Sequence, residues 1–431
     1  MMRIREASFI LSLFVVSLFA LRLDMRAGDF FPIRMLDARM ATLSVSVEGE
    51  NGTLHRPFPY YSPTKGEKLL ISFDLLDAMP EEIGYTLSYC DESWHPVSVP
   101  HGLAVVGFAE GLLAASQPSV MTQVLYRHYS LCIDASSETR PILPGNWLLR
   151  LHLRSDPSIP IAEVGFALLK NHCALSARVT PYTPKGNYSS YQAVESKVYF
   201  DERQALLENG PYKLVVGQNG RRDNVQVLET PSFFSPEELF FERNEAAVFE
   251  AGNEYHSFEM LSKEHSNMGV QSLLPGVPEQ AILYPQHNRS ALSYIEEKDA
   301  DGLFVVRAPR ASYEADLTAD YYEVDFRFSS ERLKDNVLLV GEAFEALPNE
   351  ERVLQYSTER GCYEATLLLK AGYYSFLYAS AGEHGALTTR LTEGNHYQTQ
   401  NSYTILLYRG EIYPFSHMAL IGAYECSDMK K

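Results

Sequence analysis

Short runs in which hydrophobic and polar residues alternate recur along most of the chain from Leu43 onward. Four of them are LLISFDLL at 69–76, YTLSYC at 85–90, VLYRHYSLCI at 124–133 and NWLLRLHLR at 146–154. Turn-forming residues separate these runs, and this arrangement is typical of antiparallel β-sandwiches. In the last run, Trp147, Leu149 and Leu151 share one face of the predicted strand. We therefore expect Trp147 to anchor a hydrophobic core.

A second unit is predicted to begin near Lys170 and to end near Ser330. Its clearest signal is PYKLVVGQNGRRDNVQVL, in which Asn219 and Gly220 lie between two alternating segments. An Asn-Gly pair in that position predicts a β-hairpin. The best candidate for a helix is SPEELFFERNEA at 235–246, because its first residues resemble a helix cap followed by proline.

A third unit is predicted from about Asn336, with the strand-like segments VLLVGEAF, CYEATLLLKAGYYSFLYAS and NSYTILLYRG. Strands at this spacing again favour a small sandwich. The sequence therefore predicts an all-β chain of three consecutive antiparallel β-sandwiches, immunoglobulin-like or early-set in type. We assign them to residues 40–169, 170–330 and 331–431.

The composition is consistent with that division and restricts the partners. A chain of 431 residues, 45% of them hydrophobic, has material for about three domains. With 37 basic and 55 acidic side chains its net charge is −18. Such a charge repels phosphate backbones and anionic lipid surfaces, so we expect no nucleic-acid partner.

The first residues have the layout of a secretory signal. Arg3 and Arg5 precede an apolar run over residues 9–21, and Ala27 is a possible cleavage point. The run is shorter than the roughly 20 apolar residues that a transmembrane helix needs. We expect residues 1–27 to be a signal peptide, and no later segment to span a membrane.

The stretch YTLSYCDESWHP brings a thiol, two carboxylates and an imidazole close together in sequence. Strand alternation separates Cys90 from its neighbours, Asp91 begins a turn, and Trp94 is expected to cover a core. A cysteine nucleophile also needs a histidine base within hydrogen-bond reach, whereas His95 and His101 are near only in sequence. The pattern favours a strand end and its turn, and a hydrolase that uses Cys90 with a distant histidine is the weaker alternative.

The remaining cysteines and histidines show no metal-binding pattern. The five cysteines are Cys90, Cys132, Cys173, Cys362 and Cys426, without a C-x-x-C pair, and the twelve histidines form no H-E-x-x-H motif. Cys90 and Cys132 could form a disulfide only if their strands adjoin. We assign no metal ligand and expect mostly buried thiols.

Two other motif matches are better explained as turns. Ser62 and Lys65 fit the S-x-x-K pattern of penicillin-interacting enzymes, but Pro63 and the following glycine indicate a loop. The segment 299–302, Asp-Ala-Asp-Gly, resembles the start of a calcium loop, yet Arg310 occupies the position of the closing glutamate. We assign no catalytic residue, no cofactor and no small-molecule substrate.

The third unit also resembles the early-set sandwich of glycogen-binding modules, in VLLVGEAFEAL followed by CYEATLLLKAGYYSFLY. Those modules stack sugars on exposed tryptophans, whereas the two tryptophans of this chain, Trp94 and Trp147, lie in the first unit. The resemblance of the third unit still leaves an exported carbohydrate-binding protein as the alternative function. Such a protein would use Tyr373 or Tyr374 to contact the sugar.

Eleven segments, taken in order, resemble the plug protein family of the type IX secretion system. They are LLISFDLLDA, YTLSYCDESW, VVGF, VLYRHYSL, LPGNWLLRL, VVGQNGRRD, AGNEYHSFEM, ADYYEVDFRF, VLLVGEAF, YEATLLLKAGYYSFLY and EGNHYQTQNSYTILLY. The family pattern has a histidine before the first cysteine and a serine before Gly-Asn-Tyr. In this chain Tyr89 precedes the first cysteine, and Pro144 and Trp147 flank the Gly-Asn pair. The chain is therefore similar to a divergent member of the family.

The resemblance implies a non-enzymatic, β-rich periplasmic protein that closes the giant outer-membrane translocon barrel of that system. It implies the barrel as partner and an association with the outer membrane through it. The resemblance assigns no partner-binding residue, so we expect the contacts on exposed loops and aromatic rims.

Overall fold

The computed structural model describes residues 30–427, apart from 186–187, 201–209, 263, 265–266, 310–314, 382–385 and 412–415. The predicted signal peptide, residues 1–27, lies outside the described residues. Most of the regular structure is β-strand, so the all-β prediction is confirmed. The described helices are single turns at His101–Ala104, Ala315–Thr318 and Glu342–Glu345, with 3₁₀ turns at Pro63–Lys65 and Glu245–Ala247. None of these helices has the length and apolar character that crossing a membrane requires.

The first unit contains two facing sheets. Its strands are β1 (Ile33–Met35), β2 (Met40–Gly49), β3 (Gly52–Leu54), β4 (Tyr60–Tyr61), β5 (Lys68–Leu75), β6 (Ile83–Cys90), β7 (Val105–Val106), β8 (Glu110–Leu112), β9 (Gln117–Pro118), β10 (Arg127–Ile133), β11 (Arg140–Pro141), β12 (Gly145–Leu153) and β13 (Asp156–Leu168). One sheet has the order β1-β13-β12-β6-β8, and the other has the order β3-β2-β5-β10-β9. Strand β4 joins β13 in parallel, and β7 pairs with β11. Apolar side chains of both sheets form one core.

Alternation along the strands fills this core as the sequence predicts. Tyr85, Leu87 and Tyr89 of β6 point into it, together with Trp147 and Leu149 of β12. The indole of Trp147 is buried and donates its N–H to a backbone carbonyl at 2.9 Å. The prediction that Trp147 anchors the core is confirmed.

The middle unit begins with β14 (Ala174–Thr180), β15 (Tyr191–Tyr199), β16 (Tyr212–Gln218), β17 (Val225–Leu228), β18 (Phe233–Phe234), β19 (Glu238–Phe241) and β20 (Val248–Glu250). The predicted hairpin is confirmed, because β16 and β17 pair antiparallel, with Asn219 (φ 51°) and Gly220 (φ 66°) in the left-handed region of the connecting loop. The predicted helix at 235–246 is wrong. Strand β19 occupies its centre because Leu239 and Phe241, two residues apart, both point into the core.

The next strands form one eleven-stranded sheet around a third core. They are β21 (His256–Met260), β22 (Val270–Leu274), β23 (Glu279–Leu283), β24 (Gln286–His287), β25 (Phe304–Val306), β26 (Tyr321–Ser329), β27 (Val337–Val340), β28 (Val353–Ser357), β29 (Cys362–Lys370), β30 (Gly372–Ala381) and β31 (Leu387–Thr388). The main path is β21-β30-β27-β28-β29-β26-β23-β22, while β24 pairs with β26, and β25 and β31 pair with β30. The sheet is mostly antiparallel, with β23 and β24 parallel to β26.

The last two strands, β32 (Ser402–Glu411) and β33 (His417–Ser427), return to the middle unit in the order β17-β16-β32-β33. The strand pairing thus differs from the predicted units 170–330 and 331–431. Residues 321–329 pair with 362–370, across the predicted joint, and residues 402–427 join the sheet of β16. Residues 256–388 are therefore inserted between strands of one sandwich. A linear assignment of units assumes that neighbours in sequence pair, and strand pairing does not require this.

Candidate functional site

The Cys90 thiol is buried at the end of β6, where its Sγ lies 3.8 Å from the carbonyl oxygen of Ser88. Burial is the main cause that raises its pKa to about 12, so the thiol is protonated near neutral pH. Asp91 shapes the turn that follows, since its Oδ1 accepts the backbone N–H groups of Ser93 and His95, each at 2.9 Å. The interpretation of this stretch as a strand end and a turn is confirmed.

Trp94 has a positive φ of 63° and lies between the first and middle units. Its ring contacts Phe31 with ring centroids 4.5 Å apart, in a cluster that also contains Phe58, Leu406 and Tyr408. The prediction that Trp94 covers a core is thus refined, because the residue seals a joint between two sandwiches.

The other candidate thiols and acids are not assembled into a reactive group. All five cysteines are reduced, and Cys90 and Cys132 belong to different sheets, so they do not pair. Within the described ranges no three histidine, cysteine or acidic side chains are placed to hold a metal ion. Residues 299–302 form a turn closed by a 2.9 Å hydrogen bond from Leu303 N–H to the Ala300 carbonyl. Ser62 precedes a 3₁₀ turn.

Of the two tyrosines proposed for sugar stacking, Tyr373 is half-buried with the Arg307 guanidinium 5.7 Å from its ring centroid, and Tyr374 lies in a core. The ring of Tyr374 is buried and stacks on Phe258 and Phe304, with centroid distances of 4.9 and 5.8 Å. Its hydroxyl donates to the Lys370 carbonyl at 2.5 Å. Both faces of this ring are covered, so the comparison with glycogen-binding modules gains no support from Tyr374.

The most apolar exposed feature of the first unit is the connection between β6 and β10, residues 97–125, which we name the 97–125 surface. It presents seven large apolar side chains to solvent: Val97, Leu103, Phe108, Leu112, Val120, Met121 and Leu125. Phe108 is 75% exposed and Met121 is 85% exposed. These exposed apolar groups all belong to one connection, and a contiguous exposed apolar patch marks a protein-interaction site.

Backbone pairing holds the 97–125 surface in place at both sheets of the first unit. Strand β8 extends the sheet at β6, where Gly111 lies opposite Tyr85 and a Cβ would come within 2.5 Å of the tyrosine hydroxyl. Strand β9 extends the other sheet at β10. Beyond it, the N–H groups of Gln123 and Val124 donate to the Asp320 carboxylate at 2.6 and 3.1 Å. The exposed side chains therefore project from a fixed backbone.

The same surface carries almost no charge. Among its 29 residues Glu110 is the sole Asp, Glu, Lys or Arg, although 21% of the whole chain is charged. Interface cores are depleted of charge and enriched in aromatic and methionine side chains. Alternation analysis missed this surface because the segment has no long strand. The sequence signal that could have revealed this surface was the near-absence of charged residues over 97–125.

Comparison with known proteins adds the decisive observation. Residues 41–170 match the family model described as the type 9 secretion system plug protein, 1st domain. Over these residues the chain is similar to the type IX secretion system plug family. The resemblance found in the sequence is thereby confirmed, and the whole 97–125 surface lies inside the matched residues.

A solved structure extends the similarity over nearly the full chain. A crystal structure of a hypothetical protein from Parabacteroides merdae ATCC 43184 is 26% identical in sequence and superimposes with a TM-score of 0.85. The match covers 92% of this chain and 99% of that one. A comparison with curated proteins finds no match. The plug-type first domain is thus part of a larger β-architecture that the Parabacteroides protein shares.

Proposed function

We propose that this protein is a non-enzymatic periplasmic plug that binds and seals the giant outer-membrane translocon barrel of the type IX secretion system. The match of residues 41–170 to the plug family carries the proposal. The proposal includes export through the signal peptide at residues 1–27 and attachment to the outer membrane through the barrel alone. A pore wide enough for folded cargo leaks solutes unless a body of matching shape blocks it.

The joints between units support a plug that keeps its shape. The first and middle units share the aromatic cluster around Trp94 and Phe31. The middle unit and the eleven-stranded sheet are joined by Arg222, whose backbone N–H donates to the Glu345 carboxylate at 3.2 Å. The aromatic cluster at the first joint and the buried Arg222–Glu345 ion pair at the second oppose relative motion of the units. A blocked pore needs such stiffness, because a flexible body lets solutes pass.

We place the contact with the barrel on the 97–125 surface. Its apolar side chains project from a fixed backbone, and its lack of charge avoids the desolvation cost that buried charges bring to an interface. Phe108 and Met121 are the side chains that we expect to contribute most, because large exposed apolar groups are candidates for interface hot spots.

Purification of the affinity-tagged protein from its native host in gentle detergent tests this function. We expect a very large β-barrel protein to be recovered in a fixed ratio, and the conductance of that barrel in planar bilayers to rise when the plug is removed. Recovery of the tagged protein without any such barrel would refute the plug function. A barrel that conducts equally with and without the bound protein would refute sealing.

A further inference from the structure

The joint between the first unit and the eleven-stranded sheet holds an amine against a carboxyl group in the interior of the protein. Nζ of Lys370 lies 2.5 Å from Oδ2 of Asp74, and each side chain is 1% exposed. Lys370 belongs to β29 and Asp74 to β5, so the two residues are 296 positions apart in the chain. A fold that fixes an amine this close to a carboxyl group gives the pair a high effective concentration.

The surroundings of the pair favour its uncharged form. Burial is the largest cause that lowers the pKa of the Lys370 ammonium, and the contact with Asp74 has a smaller, opposite effect. The ring centroids of Tyr126 and Tyr321 lie 4.2 and 5.8 Å from Nζ of Lys370. Transfer of one proton from the ammonium to the carboxylate gives a carboxylic acid and a neutral amine, which is the nucleophile. A site that penalises both charges lowers the cost of this transfer.

Both carboxyl oxygens of Asp74 contact groups that can assist a reaction at the carboxyl carbon. The Tyr321 hydroxyl donates to Oδ2 at 2.6 Å, and Nδ1 of His128 lies 2.8 Å from Oδ1. The Tyr321 hydroxyl is therefore placed to stabilise the negative oxygen of a tetrahedral intermediate. The His128 imidazole is placed to give a proton to the oxygen that leaves and to recover one from the attacking amine.

A cavity of about 130 Å³ at the same joint offers room for a released water molecule. Ala41, Thr42 and Lys370 are among its lining residues. A cavity needs only about 10–15 Å³ to hold one water molecule. The product water therefore has space beside the reacting residues without separation of the two units.

We propose that Lys370 and Asp74 condense in the folded protein to an isopeptide bond that joins the first unit covalently to the eleven-stranded sheet. The Nζ–Cγ bond forms and the Cγ–Oδ1 bond breaks. Oδ1 leaves as water with two of the three ammonium protons, and the third proton stays on the amide nitrogen, so no further reactant is needed. The ion pair is the state before reaction. The amide removes two buried charges whose desolvation an ion pair offsets only in part.

Mass spectrometry of the denatured full-length protein tests the inference. We expect the wild type to be lighter by one water molecule than its processed sequence. Trypsin should release residues 69–127 joined to residues 361–390, because it does not cleave after a modified lysine. Lys213 is the internal control, since its Nζ lies 2.9 Å from Oε1 of Glu92 at a more exposed site. Trypsin should cleave after Lys213 completely.

Two variants separate the reaction from the fold. Lys370→Arg keeps a positive charge beside Asp74 but has no nucleophilic amine, so it should keep the full mass. His128→Gln keeps a hydrogen-bonding side chain beside Asp74 but cannot relay a proton. We expect its linked fraction, measured soon after a pulse of synthesis, to be several-fold lower than that of the wild type. Arg154→Met changes an exposed ion pair and should leave the linked fraction unchanged.

Recovery of residues 361–370 as a separate peptide from all of the wild-type protein would overturn the inference. A link between the same two peptides in Lys370→Arg would also overturn it, because the bond would then involve another residue. An equal linked fraction in His128→Gln would overturn the role given to His128. The wild-type peptides decide the main question even where a variant does not fold. The inference goes beyond the plug function, and recovery of the barrel enters none of these outcomes.

Discussion

The ammonium group of Lys370 lies 2.5 Å from Oδ2 of Asp74, and both side chains are 1% exposed. Asp74 belongs to β5 of the first unit and Lys370 to β29 of the eleven-stranded sheet, so the ion pair crosses the joint between them. Asp74 also accepts from the Tyr321 hydroxyl at 2.6 Å and lies 2.8 Å from Nδ1 of His128. The Lys370 ammonium lies 4.2 Å from the ring centroid of Tyr126. Both charges of this ion pair thus have further partners.

Lys370→Met is expected to lower the free energy of unfolding by about 3 kcal/mol, because removing one partner leaves the other charge buried without full compensation. Urea unfolding followed by circular dichroism measures the change. Arg154→Met is the matched control, since Arg154 pairs with Glu82 at the exposed surface and should change the value by less than about 1 kcal/mol. Equal effects of the two substitutions would contradict a structural role for the buried pair.

The two tryptophans report on different parts of the molecule, since Trp147 lies in the first core and Trp94 lies in the joint with the middle unit. Single-tryptophan variants, Trp94→Phe and Trp147→Phe, therefore follow the core and the joint separately. We expect their urea transitions, measured by fluorescence, to coincide with each variant's own circular dichroism transition, because the buried aromatic cluster around Trp94 couples the joint to the units on both sides. A joint transition at clearly lower urea would show that the units separate before they unfold.

Glu254 is buried, and burial is the main cause that raises the pKa of its carboxyl group to about 7. A carboxyl whose folded pKa exceeds its unfolded value stabilises the fold at pH below the unfolded pKa, and that stability is lost as pH rises through the folded pKa. Glu254→Gln cannot ionise. We expect it to match the wild type near pH 4.5 and to be more stable by about 2 kcal/mol near pH 8.5.

Urea unfolding at the two pH values measures this difference, and Glu50→Gln, at an exposed position, is the control. Asp301, whose pKa burial also raises to about 7, adds to the wild-type pH dependence, which is why the comparison uses the difference between variant and wild type. A difference that does not depend on pH would contradict ionisation of Glu254 as the cause.

Thiol reactivity follows burial. Cys132 is exposed, whereas Cys90 is buried and burial raises its pKa to about 12. With Ellman's reagent near pH 8, we expect the fastest reaction at Cys132 and reaction of Cys90 only after unfolding. Cys132→Ser should remove the fast phase and Cys90→Ser should leave it. A fast phase that disappears in Cys90→Ser would restore the thiol as a catalytic candidate.

The 97–125 surface is tested by Phe108→Ser, which should lower recovery of the barrel at least about fivefold, equivalent to about 1 kcal/mol. Phe234→Ser is a close control, because Phe234 is 74% exposed and lies in the middle unit. Both substitutions remove an exposed ring, so the urea midpoint should change little in either. Equal recovery with both variants would place the barrel contact elsewhere on the protein.

Local patterns determined the strands and turns correctly where one signal dominated. Alternation placed Trp147 in the first core, and the Asn219-Gly220 pair marked the hairpin, because each depends on neighbours within a few residues. The helix expected at 235–246 failed because the burial of Leu239 and Phe241 outweighed a weak cap signal. Tertiary packing overrides local preference when both residues of an alternating pair reach a core.

The sequence by itself determined that the chain is all β, and its segments within residues 41–170 carried the resemblance to the plug family that the family match supports. Only the tertiary structure showed that β32 and β33 return to the middle sandwich and that Lys370 meets Asp74. These relationships join residues far apart in the chain, and a strand's own pattern specifies which face is buried without specifying the partner strand. The partner is decided by the packing of all the strands together.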